Sequence, residues 1–170
     1  AQISVEAHKR AMTFCQPGIY EYELQAEIEY QFNKSGASGP AYSSIVGGGN
    51  NACVLHYIEN KDILKDGDLV LIDAGCEYEN YAADITRTFP VNGKFSTEQA
   101  AIYDIVLEAL EQAIEVTQSG APYNVTNETT IKVITEGLVN LGLLQGEVSD
   151  LISSEAVSYT HLTLPTTRLV

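Results

Sequence analysis

Basic residues are scarce in this sequence, and long apolar runs are missing. Nine Lys and Arg stand against 23 Asp and Glu in 170 residues, so the formal net charge is −14. A surface with this charge repels phosphate groups, which argues against nucleic-acid binding and against a polybasic membrane anchor. No stretch approaches the ~20 apolar residues that cross a bilayer, and no secretory signal pattern is visible. We therefore expect neither a nucleic acid nor a membrane as a partner.

Cysteine is also scarce. Cys15, Cys53 and Cys76 make an odd number, and no C-x-x-C spacing of the kind used for zinc or redox chemistry occurs. The pattern favours small buried thiols in a reducing compartment over one disulfide with one free thiol.

The rest of the composition is typical of a globular domain. Hydrophobic residues make up 45% and charged residues 19%, which suits one domain of ordinary size or a piece of a larger one. Periodicity and turn signals indicate helices, then an antiparallel β-region, then helices, and this order predicts the α+β class. The predicted helices cover residues 1–15, 21–34, 97–118, 124–141 and 147–155, and the predicted strands cover residues 41–46, 52–57, 69–76 and 81–89.

Local patterns support two of these helices. Leu24, Ile28 and Phe32 recur at the spacing of one buried helix face. Ser96 followed by Gln99 is a capping-box pattern at the start of the long helix. The apolar residues expected to face a core from that helix are Ile102, Ile105, Val106, Ala109, Ala113 and Val116.

The two ends of the sequence differ from its middle. The first predicted helix has no capping residue before it, and acidic residues are missing from residues 157–170 (VSYTHLTLPTTRLV), where Thr and Leu dominate. We expect the chain to be a piece of a longer protein and residues 157–170 to be an aberrant, non-native tail. His161 lies in that tail, so no chemistry is assigned to it.

The most informative pair of residues is Asp73 and Asp84. If the strands that carry them form a hairpin centred between Tyr78 and Glu79, the two aspartates face each other, with Cβ atoms about 4.5–5.5 Å apart. Like charges in that position destabilise a sheet unless a cation or a shared proton intervenes. Hard oxygen ligands at this separation suit a divalent metal ion, or two metal ions that share a carboxylate. A register slip of one residue would instead turn one aspartate to solvent, and spacing alone leaves both interpretations open.

Three segments resemble one protein family. Residues 45–57 (IVGGGNNACVLHY), 66–76 (DGDLVLIDAGC) and 82–90 (AADITRTFP) are similar to the metallopeptidases of the pita-bread fold, above all to the Xaa-Pro aminopeptidases. The run LIDAG followed by ADITRTFP is the most specific part. The resemblance extends over residues 1–156 and implies a partial α+β pita-bread architecture, with this stretch as the N-terminal half of a catalytic domain.

The resemblance implies roles for individual residues. In the family, two aspartates, one histidine and two glutamates hold a pair of divalent metal ions, and the motifs align Asp73 and Asp84 with the two aspartates. His56 aligns with a histidine that lines the active site, and is thus the predicted catalytic and substrate-binding residue. Thr86 aligns with a threonine that steadies the metal-bound carboxylates. Mn²⁺ is the expected metal, with Co²⁺ and Zn²⁺ as alternatives.

The function implied for the longer protein is release of the N-terminal residue from peptides with proline in second position. The resemblance further implies a peptide substrate, a homo-oligomer and a cytoplasmic location. The alternatives are prolidase or another pita-bread metallopeptidase, and a non-catalytic pita-bread domain that binds partners. The family's metal-binding histidine and both glutamates lie downstream of the matching region, so this chain is expected to be inactive by itself.

Other residues have competing interpretations. Without the resemblance, His56 would be a core histidine on a predicted strand, between Leu55 and Tyr57. The glycines at residues 47–49 are expected to form a flexible loop, and they lack the G-x-G-x-x-G and P-loop patterns of phosphate-binding segments. His8, in the first predicted helix, is expected at the surface.

Overall fold

A computed structural model describes residues 1–157 of the chain, and its helices and antiparallel sheets confirm the predicted α+β class. The chain divides into two compact units. The first covers residues 1–95, and the second begins at Ser96.

The first unit contains two helices, six short strands and one 3₁₀ helix. Its helices are α1 (Gln2–Phe14) and α2 (Glu21–Lys34), and the 3₁₀ helix spans Gly49–Cys53. Its strands are β1 (Gly39–Pro40), β2 (Ile45–Gly48), β3 (Leu69–Asp73), β4 (Cys76–Tyr78), β5 (Tyr81–Ala82) and β6 (Thr86–Pro90). They form two antiparallel three-stranded sheets, in the orders β1-β4-β5 and β2-β3-β6.

The core of this unit joins α1, α2, β2 and β3 in one apolar cluster. Leu24, Ile28 and Phe32 of α2 are fully buried, as their helical spacing predicts. On β3, Val70 and Ile72 are fully buried, and the alternate residues are only half-buried. Because side chains alternate along a strand, the last residue of β3 lies on the face turned away from this cluster.

The turn between β4 and β5 corrects the predicted hairpin register. Tyr78 pairs with Tyr81, and the two residues between them, Glu79 and Asn80, have φ angles of 50° and 67°. Positive φ at both central residues is the type I′ arrangement, whose twist matches that of the flanking strands. The hairpin is therefore centred one residue further along the chain than predicted.

The aspartates are consequently offset by two residues rather than directly opposed. Asp73 ends β3 opposite Thr86, and Asp84 lies two residues before Thr86, the first residue of β6. The β3–β6 and β4–β5 pairings belong to different sheets, and Gly75 lies between them. A Cβ atom on Gly75 would lie 1.8 Å from the carbonyl oxygen of Ala83, so only glycine fits this close approach.

The segment that carries His56 also differs from its prediction. Gly47 and Gly48 belong to β2 rather than to a flexible loop, since the β2–β3 pairing continues to Gly48 opposite Val70. The predicted strand over residues 52–57 is wrong, because the end of the 3₁₀ helix and a turn occupy this stretch. The φ angle of 56° at His56 is incompatible with a strand.

The second unit consists, in its described part, of α3 (Thr97–Val116), α4 (Val125–Asn140) and α5 (Val148–Ser153). Helices α3 and α4 pack closely at Gly137. A Cβ atom there would lie only 2.6 Å from a side-chain carbon of Ile105. Ala109 and Ala113 of α3 are buried, as predicted. Val106 was predicted to face the core, but 52% of it is exposed.

The predicted capping box begins α3. The Ser96 hydroxyl oxygen accepts a hydrogen bond from the Gln99 backbone N–H at 3.2 Å, and the Gln99 side-chain oxygen accepts one from the Ser96 N–H at 2.9 Å. Two of the N–H groups that a helix start leaves unpaired are thereby satisfied.

The cysteines are all unpaired thiols. Cys76 is buried, as predicted, and Cys15 is half-buried. Cys53 is exposed at the end of the 3₁₀ helix, so the prediction of a buried thiol is wrong there.

The predicted tail of residues 157–170 lies outside the described residues except for Val157, which is buried. His161 lies outside them as well. Among the helices that the structure describes, none has the length and apolarity needed to cross a bilayer.

Candidate metal centre

An open cleft of about 350 Å³ brings together three of the four predicted site residues. It is lined by Tyr42, Ser43, Ile45, His56, Ile58, Asp73 and Asp84. Asp73 comes from the end of β3 and Asp84 from the segment between β5 and β6. The histidine comes from the turn after the 3₁₀ helix, and the tyrosine from the segment before β2. Two isoleucines, Ile45 and Ile58, contribute apolar surface to the lining.

The hydroxyl of Tyr42 joins the two carboxylates. It lies 2.6 Å from Oδ1 of Asp73 and 3.2 Å from Oδ1 of Asp84. The two carboxylates therefore converge on one point although they are not directly opposed in the ladder. Asp73 is half-buried and Asp84 is exposed at the cleft rim.

One phenolic proton does not neutralise two carboxylates. The short contact to Asp73 is the better hydrogen bond, and it leaves Asp84 with the longer contact. Burial raises the pKa of Tyr42 far above its ordinary value, and the hydrogen bond and charge of Asp73 raise it further, so the phenol remains a donor. None of the described ion pairs includes either aspartate.

The donor chemistry of this pair fits a divalent cation. Carboxylate oxygens are hard ligands, and a cation between them would offset the repulsion that the tyrosine only partly relieves. Within residues 1–157, no group of three or more His, Cys, Asp or Glu side chains could hold a metal ion. The described residues thus bring the two predicted aspartate ligands together without a third such side chain beside them.

His56 lies on the cleft rim and is exposed. Its left-handed backbone places it in a tight turn, between the 3₁₀ helix and the buried Tyr57. The structure therefore argues against the interpretation of a core histidine on a strand. An exposed imidazole on a cleft wall is accessible to a ligand in that cleft.

Thr86 does not line the cleft. It pairs with Asp73 across the β3–β6 ladder. Among the described hydrogen bonds, none joins the Thr86 hydroxyl to either carboxylate. Its predicted support of the carboxylates stays a prediction.

His8 corrects the expectation of a surface histidine. It is 3% exposed, and its Nε2 lies 2.9 Å from the carbonyl oxygen of Ala74, the residue after Asp73. In the described part of the chain, Nδ1 of His8 is buried without a partner. Burial is the largest effect on the pKa of His8 and lowers it, whereas the hydrogen bond to the Ala74 carbonyl raises it. The weaker charge effects of Arg87 and Asp73 lower and raise it respectively, and the net pKa lies below its ordinary value.

The sequence contained one usable signal for His8 and none for Tyr42. Ser4, His8 and Ala11 recur at helical spacing and are all buried, so His8 belongs to the core face of α1. Tyr42 is one of ten tyrosines, and its two contacts span 31 and 42 residues of sequence. No local pattern indicates such contacts.

Comparisons with known proteins agree on one family. The sequence profile described as metallopeptidase family M24 matches residues 1–164. The Xaa-Pro aminopeptidase of Escherichia coli (strain K12) is 52% identical over 155 residues, which are 91% of this chain and 35% of that protein. This chain therefore spans about 35% of the length of that curated relative.

Solved structures agree with the sequence comparison. The structure of Pseudomonas aeruginosa aminopeptidase PepP is 58% identical and matches with a TM-score of 0.90, over 91% of this chain and 35% of that one. Two structures of Escherichia coli aminopeptidase P, each with a single aspartate replaced by alanine, are 51% identical and match with a TM-score of 0.89, over the same shares. The described fold is part of the pita-bread fold that the resemblance implies.

Proposed function

The chain belongs to metallopeptidase family M24, and from this membership we propose that it is part of a metal-dependent aminopeptidase. The proposed reaction releases the N-terminal residue from peptides with proline in second position. The observation that carries the proposal is the convergence of Asp73 and Asp84 on one tyrosine hydroxyl in an open cleft. The similarity to Xaa-Pro aminopeptidases supports the substrate class.

We propose Asp73 and Asp84 as metal ligands. In the two Escherichia coli aspartate variants, the replaced positions are eleven residues apart, which is the spacing of Asp73 and Asp84 here. Two divalent ions, Mn²⁺ first and Co²⁺ or Zn²⁺ as alternatives, would be held by this pair together with residues outside the described part. When bound, such ions supply Lewis acidity and an acidified water.

The side chains of this chain would have separate tasks around the reaction. Asp73 and Asp84 orient their oxygens toward the cleft, and the Tyr42 hydroxyl keeps the two carboxylates convergent through its hydrogen-bond contacts with them. His56 would bind the substrate at the cleft rim, where its ring is accessible. Ile45 and Ile58 contribute apolar surface to the lining of the cleft.

The first test uses the longer protein that carries this sequence. Asp84→Asn removes a proposed ligand charge and retains the shape of the side chain. We expect a loss of more than ~100-fold in turnover of an Xaa-Pro peptide with Mn²⁺, because loss of a residue that merely supports a ligand already costs about 10–100-fold. Mn²⁺ affinity should fall in parallel.

Asp104→Asn is the matched control, since Asp104 is an exposed residue of α3. It should retain wild-type turnover. Near-normal turnover of the Asp84→Asn variant would overturn the assignment of the metal ligands.

We further propose that the 170-residue chain is inactive by itself. Two carboxylates bind Mn²⁺ weakly, and the described residues provide no group of three His, Cys, Asp or Glu side chains that could hold the ion. An assay of this chain on an Xaa-Pro peptide with Mn²⁺ should show no turnover above the rate without protein. Measurable turnover would contradict this. A cytoplasmic homo-oligomer is proposed for the longer protein on the resemblance alone.

A further inference from the structure

A fully buried carboxylate, Glu21, lies at the start of α2 and is 0% exposed. It accepts four hydrogen bonds. Oε1 accepts from the Gly48 backbone N–H at 2.8 Å and from the Asn51 side-chain amide at 3.0 Å. Oε2 accepts from the Tyr57 hydroxyl at 2.8 Å and from the Asp62 backbone N–H at 3.0 Å.

These four partners are neutral, and none of the described ion pairs includes Glu21. Burial of a carboxylate without a cation is costly, and hydrogen bonds compensate for it only when they are all formed. An apolar side chain in its place would leave the Gly48 and Asp62 N–H groups without this acceptor. Glu21 therefore ties donors from separate segments to one point.

The four donors surround the segment that carries His56. Gly48 ends β2, Asn51 lies in the 3₁₀ helix, and Tyr57 and Asp62 follow the turn. We call residues 49–62 the histidine loop. Since donors come from both ends and from the middle of the histidine loop, one carboxylate sets its path.

A second buried anchor acts on the same loop. Asn60 is 2% exposed, accepts a hydrogen bond from the Val46 N–H at 3.0 Å and donates one to the Ser44 carbonyl at 2.8 Å. These bonds attach the end of the histidine loop to β2 and to the residue before it. They do not involve the turn at His56, whose neighbour Tyr57 bonds Glu21 instead.

The turn has little packing of its own. Val54, Leu55 and Ile58 are 53%, 77% and 60% exposed, and His56 is exposed as well. Tyr57, at 8% exposure, is the buried residue of this stretch. Burial, helped by the hydrogen bond to Glu21, raises the pKa of Tyr57 to about 12, so its hydroxyl stays a donor at neutral pH.

We propose that Glu21 is a positioning residue for His56. Through the Tyr57 hydroxyl and the Asn51 amide, it holds the histidine loop so that the imidazole lines the cleft of Asp73 and Asp84. The proposal rests on the proposed function, because it gives His56 a task in binding the substrate. Glu21 itself does not line that cleft.

The first test is a double-mutant cycle in the longer protein, assayed on an Xaa-Pro peptide with Mn²⁺. Tyr57→Phe removes the hydrogen bond to Glu21 and retains the ring. It should lower kcat/KM about tenfold, the effect of losing a contact that orients a site residue. In a His56→Ala background, Tyr57→Phe should cause no further loss, because both changes act on one group.

Tyr30→Phe is the matched control. Tyr30 is an exposed residue of α2 whose hydroxyl makes none of the described hydrogen bonds, so kcat/KM should stay at the wild-type value. The midpoint of a Mn²⁺ titration should be unchanged in Tyr57→Phe. An equal loss with and without His56, or a shifted Mn²⁺ midpoint, would overturn the proposal.

The second test does not depend on activity and uses the 170-residue chain. The amides of Val54 and Tyr57 donate to the carbonyls of Asn51 and Val54, so their hydrogen exchange reports on the turn. Exchange at these amides should be at least about fivefold faster in Tyr57→Phe. The same increase is expected in Glu21→Gln, because the NH₂ group of the glutamine would face hydrogen-bond donors instead of accepting from them. Exchange should be unchanged in Tyr30→Phe.

The two tests separate the proposals. Unchanged exchange in both Tyr57→Phe and Glu21→Gln would overturn the positioning role of Glu21 even if the longer protein is an active enzyme. Faster exchange together with an inactive wild-type enzyme would support the positioning of the histidine loop and overturn the proposed peptidase function.

Discussion

At the scale of single residues, the stability of the cleft depends on how the like charges of Asp73 and Asp84 are held close together. Two carboxylates that converge without a cation repel each other, and the Tyr42 proton relieves only part of that repulsion. A hydrogen bond to a charged group contributes about 1.5–3 kcal/mol when it is buried. This cleft is open and Asp84 is exposed, so the contribution here lies at or below the lower end of that range.

Tyr42→Phe should therefore lower the free energy of unfolding by about 1 kcal/mol in the absence of metal. The difference should shrink when Mn²⁺ is added, because a cation takes over the neutralisation of the carboxylates. Urea unfolding of both proteins, with and without Mn²⁺, measures this. Tyr30→Phe is the control and should unfold as the wild type does, whereas equal stability of Tyr42→Phe and wild type without metal would contradict the role given to Tyr42.

The site residues differ in how far the sequence predicts them. Asp73, Asp84 and His56 belong to motifs, so their presence in one cleft was predicted from the family resemblance, and the structure brings them together. Tyr42 and Glu21 were not predicted as site residues. The hydrogen bonds of Glu21 reach residues 27 to 41 positions away, and a window of local sequence does not contain such contacts.

At the scale of elements, the sequence predicts the bounds of helices better than the pairing of strands. The predicted helix over residues 21–34 matches α2, and the long helix is wrong only in its last two residues. Helix periodicity and caps are local signals, so the sequence carries them in full. The hairpin register depends on which two residues form the turn. The predicted turn lies one residue too early along the chain, so each β3 residue was paired with a partner two positions too early. A shift of two residues leaves every side chain on the same face of the sheet, so the hydrophobic pattern does not distinguish the two registers.

The cap of α3 provides a test at this scale. Ser96→Ala removes the acceptor for the Gln99 N–H and should lower the free energy of unfolding by about 1 kcal/mol. Ser149→Ala, at an exposed position inside α5, should change it by less than about 0.5 kcal/mol. Urea unfolding followed by circular dichroism compares the two, and equal effects of both changes would contradict the capping role.

At the scale of the whole molecule, one buried histidine connects stability to pH. The folded-state pKa of His8 is lowered from 6.5 by burial, the largest effect, and also by the charge of Arg87, against the raising effects of the hydrogen bond to the Ala74 carbonyl and of the charge of Asp73. A lowered histidine pKa means that the unfolded chain binds the proton first. Stability should therefore be unaffected by His8 above about pH 6.5 and should decrease as the pH falls from there toward the lower folded-state value.

Urea unfolding of the metal-free chain between pH 8 and pH 5 measures this decrease. His8→Gln removes the titrating group and should flatten the profile in that range, where most carboxylates are still ionised. The control His56→Gln changes an exposed histidine and should leave the decrease in place. A wild-type profile that stays level down to pH 5 would contradict the buried, neutral state of His8.

Local sequence alone predicts the α+β class, the helices, the acidic composition and the family, and its motifs mark Asp73 and Asp84 as candidate metal ligands. Each of these follows from composition, from periodicity within a few turns, or from short motifs. Only the folded chain shows that Tyr42 joins the aspartates, that His8 Nε2 lies against the Ala74 carbonyl, and that Glu21 accepts hydrogen bonds from the histidine loop. These features are contacts between residues 27 to 66 positions apart. They form only when the packed core brings distant segments together, so no local pattern in the sequence contains them.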